Sequence, residues 1–228
     1  MKWLKILAGA AAGLYAFYYF AFPTYTHRFR LTFQVEVDGK VKEGSGVITV
    51  MDQDNQWVPM TQKRWSRTVK GPAPWVDLGD KGILLVSMVQ NRGAENSPRA
   101  YPAGRLSFAA FFGVDLGDPK IDIQSVREIH NQVGQKELRT DQWPYFIWLP
   151  NPADPGSALL VFPADFSNVI GPSIRLAKVA VEITKNSPDD TIYRKLHWLA
   201  AMEKSQFWSG APWSREFKLR AVDVLGGQ

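Results

Sequence analysis

Three carboxylates near turns are the side chains of this sequence best suited to acid–base chemistry. Asp77 and Asp80 flank Leu78-Gly79, and Asp154 precedes Pro155 in a turn-rich segment. Two carboxyl groups that converge in a pocket can act as general acid and general base in hydrolysis. An ordinary turn between two strands also explains Asp77 and Asp80, and we prefer that interpretation. A carboxylate-dependent hydrolase is therefore an alternative function, and no residue is assigned as catalytic.

Other reactive groups are scarce. Cysteine is absent, which excludes thiolate catalysis, cysteine-ligated zinc and disulfide bonds. The three histidines, His27, His130 and His197, are far apart and form no HExxH pair, so only the fold could assemble a histidine metal site. We expect His27 on the surface and His197 packed within a helix. No phosphate-binding glycine motif is present, so we predict no metal ion, no cofactor and no enzymatic activity.

The elements that would position these groups are mainly strands. Residues 28–37 alternate apolar and polar side chains, which is typical of a half-buried strand. Asp38-Gly39 predicts a hairpin turn into a second strand over residues 40–50. Gly44 and Gly46 flank Ser45 and indicate a bulge or a close backbone approach. A nucleophilic Ser45 is disfavoured because the sequence around it lacks the GxSxG form.

The rest of the pattern predicts a mainly β fold with a minor α part. Further strands are expected at residues 57–60, 62–69, 75–78, 82–88, 120–123, 145–148, 158–162, 174–184 and 215–224, the penultimate one interrupted near Ala177. Residues 52–55 suit a polar loop, residues 163–171 one or two helical turns, and residues 192–204 a helix. We predict a single domain over residues 26–228, an antiparallel sandwich or strongly curved sheet carrying one or two short helices.

An apolar segment precedes this domain. Residues 6–22 contain no charge, and at 1.5 Å per residue they span about 26 Å as a helix, the lower end of what crosses a bilayer. We predict an N-terminal membrane anchor over residues 1–25 that contains one transmembrane helix at about 6–22. A cleavable signal peptide begins similarly, but pairs of small residues occur too early for its cleavage site. An uncleaved signal anchor is preferred, and a soluble exported protein after cleavage stays as an alternative.

Aromatic and basic residues mark the expected membrane boundary. Tyrosines cluster at the second end of the segment and a tryptophan lies at the first, as in an interfacial aromatic belt. The residues predicted to contact the membrane are Trp3, Tyr15, Tyr18, Tyr19, Tyr25, Arg28 and Arg30. Gly9 and Gly13 form a GxxxG motif that lets two membrane helices approach closely, although glycine is also common in such helices.

Charge gives the expected partners and orientation. The net charge of +5 is a mild excess, suited to a position near anionic lipid headgroups. Residues 63–70 are the most basic aromatic-containing stretch, but they suit a solvated strand, so we predict no nucleic-acid binding. A raw count of the basic residues on the two sides of the segment would place the domain in the cytoplasm. Long domains, however, translocate largely regardless of charge, and Lys2 and Lys5 resemble the basic start of a secretory segment. We therefore expect the domain on the periplasmic side.

Three stretches together resemble a known group of sequences. They are RFRLTFQVEV from Arg28 with GSGV from Gly44, GPAPWVDLG from Gly71, and PADPGS from Pro152 followed by GPSIRLAKVAVEIT and LHWL. They resemble an uncharacterised group of proteobacterial membrane-anchored or exported proteins of unknown function, although His197 replaces an expected proline. The resemblance implies a bacterial envelope protein and supplies no catalytic residue, and the N-terminal segment predicts a single-pass protein of the inner membrane. We predict a binding, structural or accessory subunit that contacts lipid and docks to a partner protein or a second copy through its helix.

Overall fold

An antiparallel sheet dominates the computed structural model, which describes residues 2–54, 65–90, 104–105, 128–129, 134–204 and 226–227. The helices in this part of the chain are α1 (Lys2–Ala21), α2 (Phe166–Val169), α3 (Thr191–Lys195) and α4 (Leu199–Lys204). The strands are β1 (Thr24–Val37), β2 (Lys40–Asp54), β3 (Trp65–Lys70), β4 (Trp75–Gly79), β5 (Gly82–Val86), β6 (Val89–Gln90), β7 (Gly104–Arg105), β8 (Gln135–Glu137), β9 (Phe146–Leu149), β10 (Leu159–Val161), β11 (Ile174–Ile183) and β12 (Gly226–Gly227).

The strands form one large sheet and one small one. The large sheet has ten strands in the order β10-β9-β5-β4-β2-β1-β11-β8, with β3 also paired to β2 and β12 paired to β3. Strands β6 and β7 form a separate two-stranded sheet. Every pairing is antiparallel. The predicted mainly β, antiparallel architecture with a few short helices is confirmed.

The hairpin of β1 and β2 is the central unit of this sheet. Its pairing runs without a shift from Thr24 opposite Gln53 to Val37 opposite Lys40. Asp38 and Gly39 close it with φ of 51° and 75°, the left-handed pair that a two-residue hairpin turn requires. The alternation predicted for β1 is confirmed, because its apolar side chains are buried and its polar ones lie on the opposite face.

Two irregularities in the sheet match sequence features. A Cβ atom placed on Gly44 would lie 2.6 Å from the carbonyl oxygen of Trp75, so this glycine allows a close backbone approach. The β1–β2 register passes through it unbroken, which excludes the bulge alternative there. The bulge lies in β11 instead, where Gln34 pairs with Lys178 and Val35 with Leu176. Ala177 is thereby left out of the register, as the interrupted alternation predicts.

The hydrophobic core covers one face of the central strands. Aromatic rings connect the layers: Phe33 and Phe166 each pack edge-on against Phe146 at 5.2 Å between ring centroids. Strand β5 is buried at every position, so both of its faces are covered. The core residues with no exposed surface include Phe29, Leu31, Phe33, Val35, Ile48, Ile83, Leu84, Leu85, Phe146, Ile147, Leu149, Val179 and Val181.

The expected polar loop at residues 52–55 is wrong, because β2 continues to Asp54. Asp52 and Asp54 have no exposed surface, since they continue the buried alternation of Ile48 and Val50. The expected surface position of His27 is also wrong. Strand β1 begins four residues earlier than predicted, and the same alternation places His27 on the core face with 1% of its surface exposed.

The predicted helix over residues 192–204 is divided in two. Helix α3 ends before Leu196, whose φ of −114° and ψ of 80° leave the helical region, and α4 starts at Leu199. The interruption allows Leu196 and Leu199 to be fully buried while the indole of Trp198 donates to the Pro152 carbonyl at 2.8 Å. His197 lies in this connection and is exposed, so the expected packed histidine is wrong.

Several predictions fall outside the described residues. These are the strands at 57–60, 120–123 and 215–224, the start of the strand at 62–69, and His130. Within the described residues, no helix combines the length and the apolar character needed to cross a membrane. The transmembrane helix therefore stays a prediction.

Candidate functional site

Helix α1 carries large apolar side chains that the rest of the described chain leaves uncovered. Seven of them are more than half exposed: Trp3, Ile6, Leu7, Leu14, Tyr15, Phe17 and Tyr18. At 100° per residue these seven lie on one half of the helix circumference. Contiguous exposed apolar surfaces of this kind mark contacts with a membrane or another protein.

The opposite half of α1 carries several small residues as well as Lys5. Gly9, Ala12, Gly13 and Ala16 lie there, and all four are exposed. A Cβ atom placed on Gly9 or Gly13 would meet no atom within 4 Å. The two predicted helix-packing glycines therefore share an open face, and the partner that would pack on it stays a prediction.

Helix α1 joins the sheet without a linker. Strand β1 begins at Thr24, and the carbonyl oxygen of Pro23 accepts a hydrogen bond of 3.0 Å from the backbone N–H of Asp54. The side-chain amide of Gln53 donates to the Tyr18 hydroxyl at 3.4 Å. The last turn of α1 is thus attached to the end of the central hairpin, which keeps the domain close to whatever surrounds the helix.

The residues predicted to contact a membrane fall into two groups. Trp3, Tyr15 and Tyr18 are 79%, 73% and 56% exposed on α1 and remain available for such contact. Tyr25 is half-buried and packs against the core of the domain. The side chain of Tyr19 lies outside what the structure describes.

The two predicted arginines differ in their surroundings. Arg28 is exposed, and its guanidinium donates to the backbone carbonyl of Lys185 at 3.1 Å. Arg30 is half-buried and forms an ion pair with Glu182 at 3.5 Å. Lys185 was not predicted, because the contact that brings it to Arg28 joins positions 157 residues apart.

Asp77 is the predicted carboxylate with the most developed surroundings. Its Oδ2 accepts from the Lys195 ammonium at 2.5 Å, and its Oδ1 accepts from the Gly79 N–H at 2.8 Å. The Lys42 ammonium donates to the Asp77 carbonyl at 3.1 Å. Partial burial raises the pKa of Asp77, but the Lys195 and Gly79 hydrogen bonds and the nearby lysine charges outweigh it, so the pKa lies below its ordinary value.

The other two carboxylates lie in turns. Asp80 is exposed in the β4–β5 turn, 4.0 Å from Lys81. Asp154 caps the 3-10 turn Pro155–Ser157, where its Oδ1 accepts from the Gly156 N–H at 2.8 Å. No hydrogen bond or ion pair joins Asp77, Asp80 and Asp154 in the described chain. Hydrolysis would require two of these carboxylates in one pocket, and neither Asp80 nor Asp154 lines the depression beside Asp77.

A shallow depression of about 510 Å³ adjoins Asp77. It forms because β2 and β4 pair only at Ser45 opposite Trp75 and then diverge. Its lining residues are Lys42, Glu43, Ser45, Trp75, Val76, Asp77, Asp189 and Thr191. Asp189 accepts from the backbone and hydroxyl of Thr191 at 3.0 and 2.6 Å. Both carboxylates are thus engaged by neighbouring residues, and no metal-binding group of three or more His, Asp or Glu residues occurs among those described.

The outer face of the sheet carries a second polar depression of about 360 Å³. Charges around it are compensated across strands: Arg30 pairs with Glu182, and Lys178 lies 3.0 Å from Glu137. Gln34 donates to Glu43 at 3.0 Å. These cross-strand pairs are typical of a solvated sheet surface. Because the charges neutralise each other, little net charge is left in the depression to recognise a ligand.

Comparison with other proteins adds no family. No protein-family model, curated protein or solved structure matches this chain. The resemblance to proteobacterial envelope proteins stays a prediction.

Proposed function

We propose that this chain is a membrane-anchored binding or accessory module of the bacterial envelope. Helix α1 lies in the apolar layer of the inner membrane, and the β domain sits against the headgroups on the periplasmic side. The observation that carries the proposal is the exposed apolar surface of α1, joined directly to the sheet at Thr24. The exported position is supported by the short basic start that precedes the uncharged residues 6–22.

The energetics favour an apolar environment around the whole helix. Burying one large apolar side chain is worth about 1.5–3 kcal/mol, so covering seven of them is worth on the order of 10 kcal/mol. A groove on a protein covers one side of a helix, whereas a bilayer covers every side. Both the bulky half and the small-residue half of α1 are exposed, which fits the bilayer better.

A partner-docking role is supported by the edges of the sheet. The described sheet ends at β8, at β10 and, on the branch through β3, at the two-residue strand β12. Strand β8 is exposed and carries Lys136 and Glu137, and charged side chains of this kind discourage strand addition. Strand β10 presents Leu159 and Leu160, both half-buried and uncharged. We therefore place the docking edge at β10, where an extended segment of a partner would add as a further strand.

Extraction of membranes at alkaline pH tests the anchor. We expect the full chain to remain with the bilayer and the double variant Leu14→Lys/Phe17→Lys to be released, because each lysine in the apolar layer costs about 2.5–3.5 kcal/mol. Val41 is a matched control, since it is also apolar and 61% exposed but lies beside the far hairpin turn. Val41→Lys should stay with the membrane. Release of the unmodified chain would contradict the anchor.

Two further measurements test the rest of the proposal. Protease added outside spheroplasts should digest the domain if it is periplasmic, and protection would place it in the cytoplasm. Detergent extraction followed by mass spectrometry should identify a co-purifying protein that is lost with Leu160→Lys and kept with Val41→Lys. Recovery of the unmodified chain alone and monomeric would count against an accessory role.

A further inference from the structure

The Arg28 side chain and the backbone of Lys185 are in contact at the end of the sheet that adjoins α1. The backbone N–H of Thr184 donates to the Arg28 carbonyl at 2.9 Å, and the Arg28 guanidinium donates to the Lys185 carbonyl at 3.1 Å. These two bonds hold residues from β1 and from the end of β11 side by side. Arg28 and Lys185 are both exposed. Two exposed basic residues therefore adjoin each other in the folded sheet, with the Arg28 guanidinium held by the Lys185 backbone.

Arg28 and Lys185 have no acidic partner among the described residues, a property that they share with Lys40, Lys42 and Lys70 on the strands. By contrast, Arg175 bonds Glu36 and Lys178 bonds Glu137 across strands, at 2.5 and 3.0 Å, and Lys195 of α3 bonds Asp77 at 2.5 Å. Arg28 makes one hydrogen bond to a neutral carbonyl, and the Lys185 ammonium has no acceptor among the described residues. Most of the hydrogen-bonding capacity of both cations is available to a ligand.

Arg28 and Lys185 lie near the end of the hairpin that joins α1. Arg28 lies four residues beyond Thr24, which is about 13 Å along a strand. The turn at the opposite end of the hairpin lies about 40 Å from Thr24, because β1 has 14 residues. The Debye length at physiological ionic strength is about 8 Å, so a charged surface around α1 acts on Arg28 and Lys185 far more than on the distant turn.

We infer that Arg28 and Lys185 bind the phosphate groups of anionic phospholipids in the membrane that holds α1. The inference rests on the proposed anchoring and adds the lipid chemistry and the residues that recognise it. The arginine fork can bind two phosphate oxygens at once, and the lysine supplies a second positive charge. Arg30 is left out of this inference because it is already engaged by Glu182, and its membrane contact stays a prediction.

Spin-labelled lipids in reconstituted vesicles test this inference. The full chain is inserted into phosphatidylcholine vesicles that contain trace spin-labelled phosphatidylglycerol or phosphatidylcholine, and the ratio of their association constants is measured. We expect about a fivefold preference for phosphatidylglycerol at low salt, from the attraction of a basic side chain to anionic headgroups. The preference should fall towards one in 1 M salt, where the Debye length is only about 3 Å.

Matched variants assign the preference to the pair. The double variant Arg28→Gln/Lys185→Gln should reduce the ratio to near one. The control variant Lys40→Gln/Arg194→Gln removes the same amount of charge from exposed residues distant from α1. It should leave the ratio of association constants unchanged. Lys185→Gln alone is a second test, since its side chain makes no hydrogen bond in the described structure, and it should lower the ratio at least twofold.

The possible results separate the two proposals. A ratio near one for the unmodified chain, or an equal loss in both double variants, would overturn the lipid-headgroup inference while leaving the anchor intact. Failure of the unmodified chain to enter vesicles of either lipid would overturn the anchor itself. A preference that persists in 1 M salt would also contradict recognition by these two charges.

Discussion

Helix α1 and the central hairpin are both rich in apolar residues, yet one is exposed and the other buried. In β1 every second side chain from Phe29 to Val37 is buried, and the intervening polar side chains lie on the other face. In α1 the uncharged residues are continuous from Ile6, and the large apolar ones stay more than half exposed. An alternating pattern provides one face for the core and one for water, whereas a continuous run provides no face for water.

The difference means that the two regions depend on different surroundings. The sheet obtains its stability from contacts within the chain, such as the Phe33–Phe146–Phe166 ring cluster. The described chain provides no comparable contacts for α1, so its stability depends on what covers it. Equivalent substitutions in the two regions should therefore have unequal effects on the unfolding of the domain.

The largest contrast is expected from removing one phenylalanine in each region. Phe146→Ala should lower the free energy of unfolding by about 3–5 kcal/mol, since it leaves a cavity among buried rings. Phe17→Ala removes the same atoms from a position in α1 that is 69% exposed. It should change the free energy of unfolding by less than about 0.5 kcal/mol. Urea unfolding in detergent, followed by tryptophan fluorescence, measures both. Equal losses would mean that α1 packs on the domain.

The elements that sequence reasoning predicted are those that depend on neighbouring residues. The alternation of β1, the Asp38-Gly39 turn and the interruption at Ala177 are local, and each has its counterpart in the structure. The close approach at Gly44 was also predicted, since only glycine leaves room for a backbone at that distance. Local patterns therefore determined most of the central sheet.

The features that were not predicted depend on contacts between distant residues. The helix break before Leu199 accompanies the Trp198 hydrogen bond to Pro152, which lies 46 positions away. The Asp77–Lys195 pair joins positions 118 residues apart. Polarity alone gave the wrong result for Asp52, because burial in a strand depends on its register and not only on its hydropathy. The candidate lipid site also depends on a long-range contact, since Arg28 meets Lys185 only in the folded sheet.

A smaller contrast is expected from adding one methyl group to a glycine in each region. Gly44→Ala places a Cβ 2.6 Å from the backbone oxygen of Trp75, which cannot move aside easily, and should cost about 1–3 kcal/mol. Gly9→Ala adds the same group where nothing lies within 4 Å, and alanine favours a helix by about 1 kcal/mol over glycine. Thermal unfolding should therefore show a lower Tm for Gly44→Ala only. A lower Tm for Gly9→Ala as well would indicate that α1 is packed closely against another element.

The smallest contrast concerns pH, because the sheet holds ion pairs and residues 6–22 hold no charge. The pKa of Asp77 lies below its ordinary 3.8 in the folded chain, so its ion pair with Lys195 stabilises the fold above that pH and is lost as the pH falls through the lowered pKa. Because both side chains are 42% exposed, the contribution is at most about 1 kcal/mol. The free energy of unfolding, measured between pH 7 and pH 2.5, should fall more steeply in the unmodified chain than in Asp77→Asn.

Over the same pH range, the fraction of the chain that remains with vesicles should stay constant. Release at low pH would show that the membrane contact depends on charge, and the distinction between the two regions would fail.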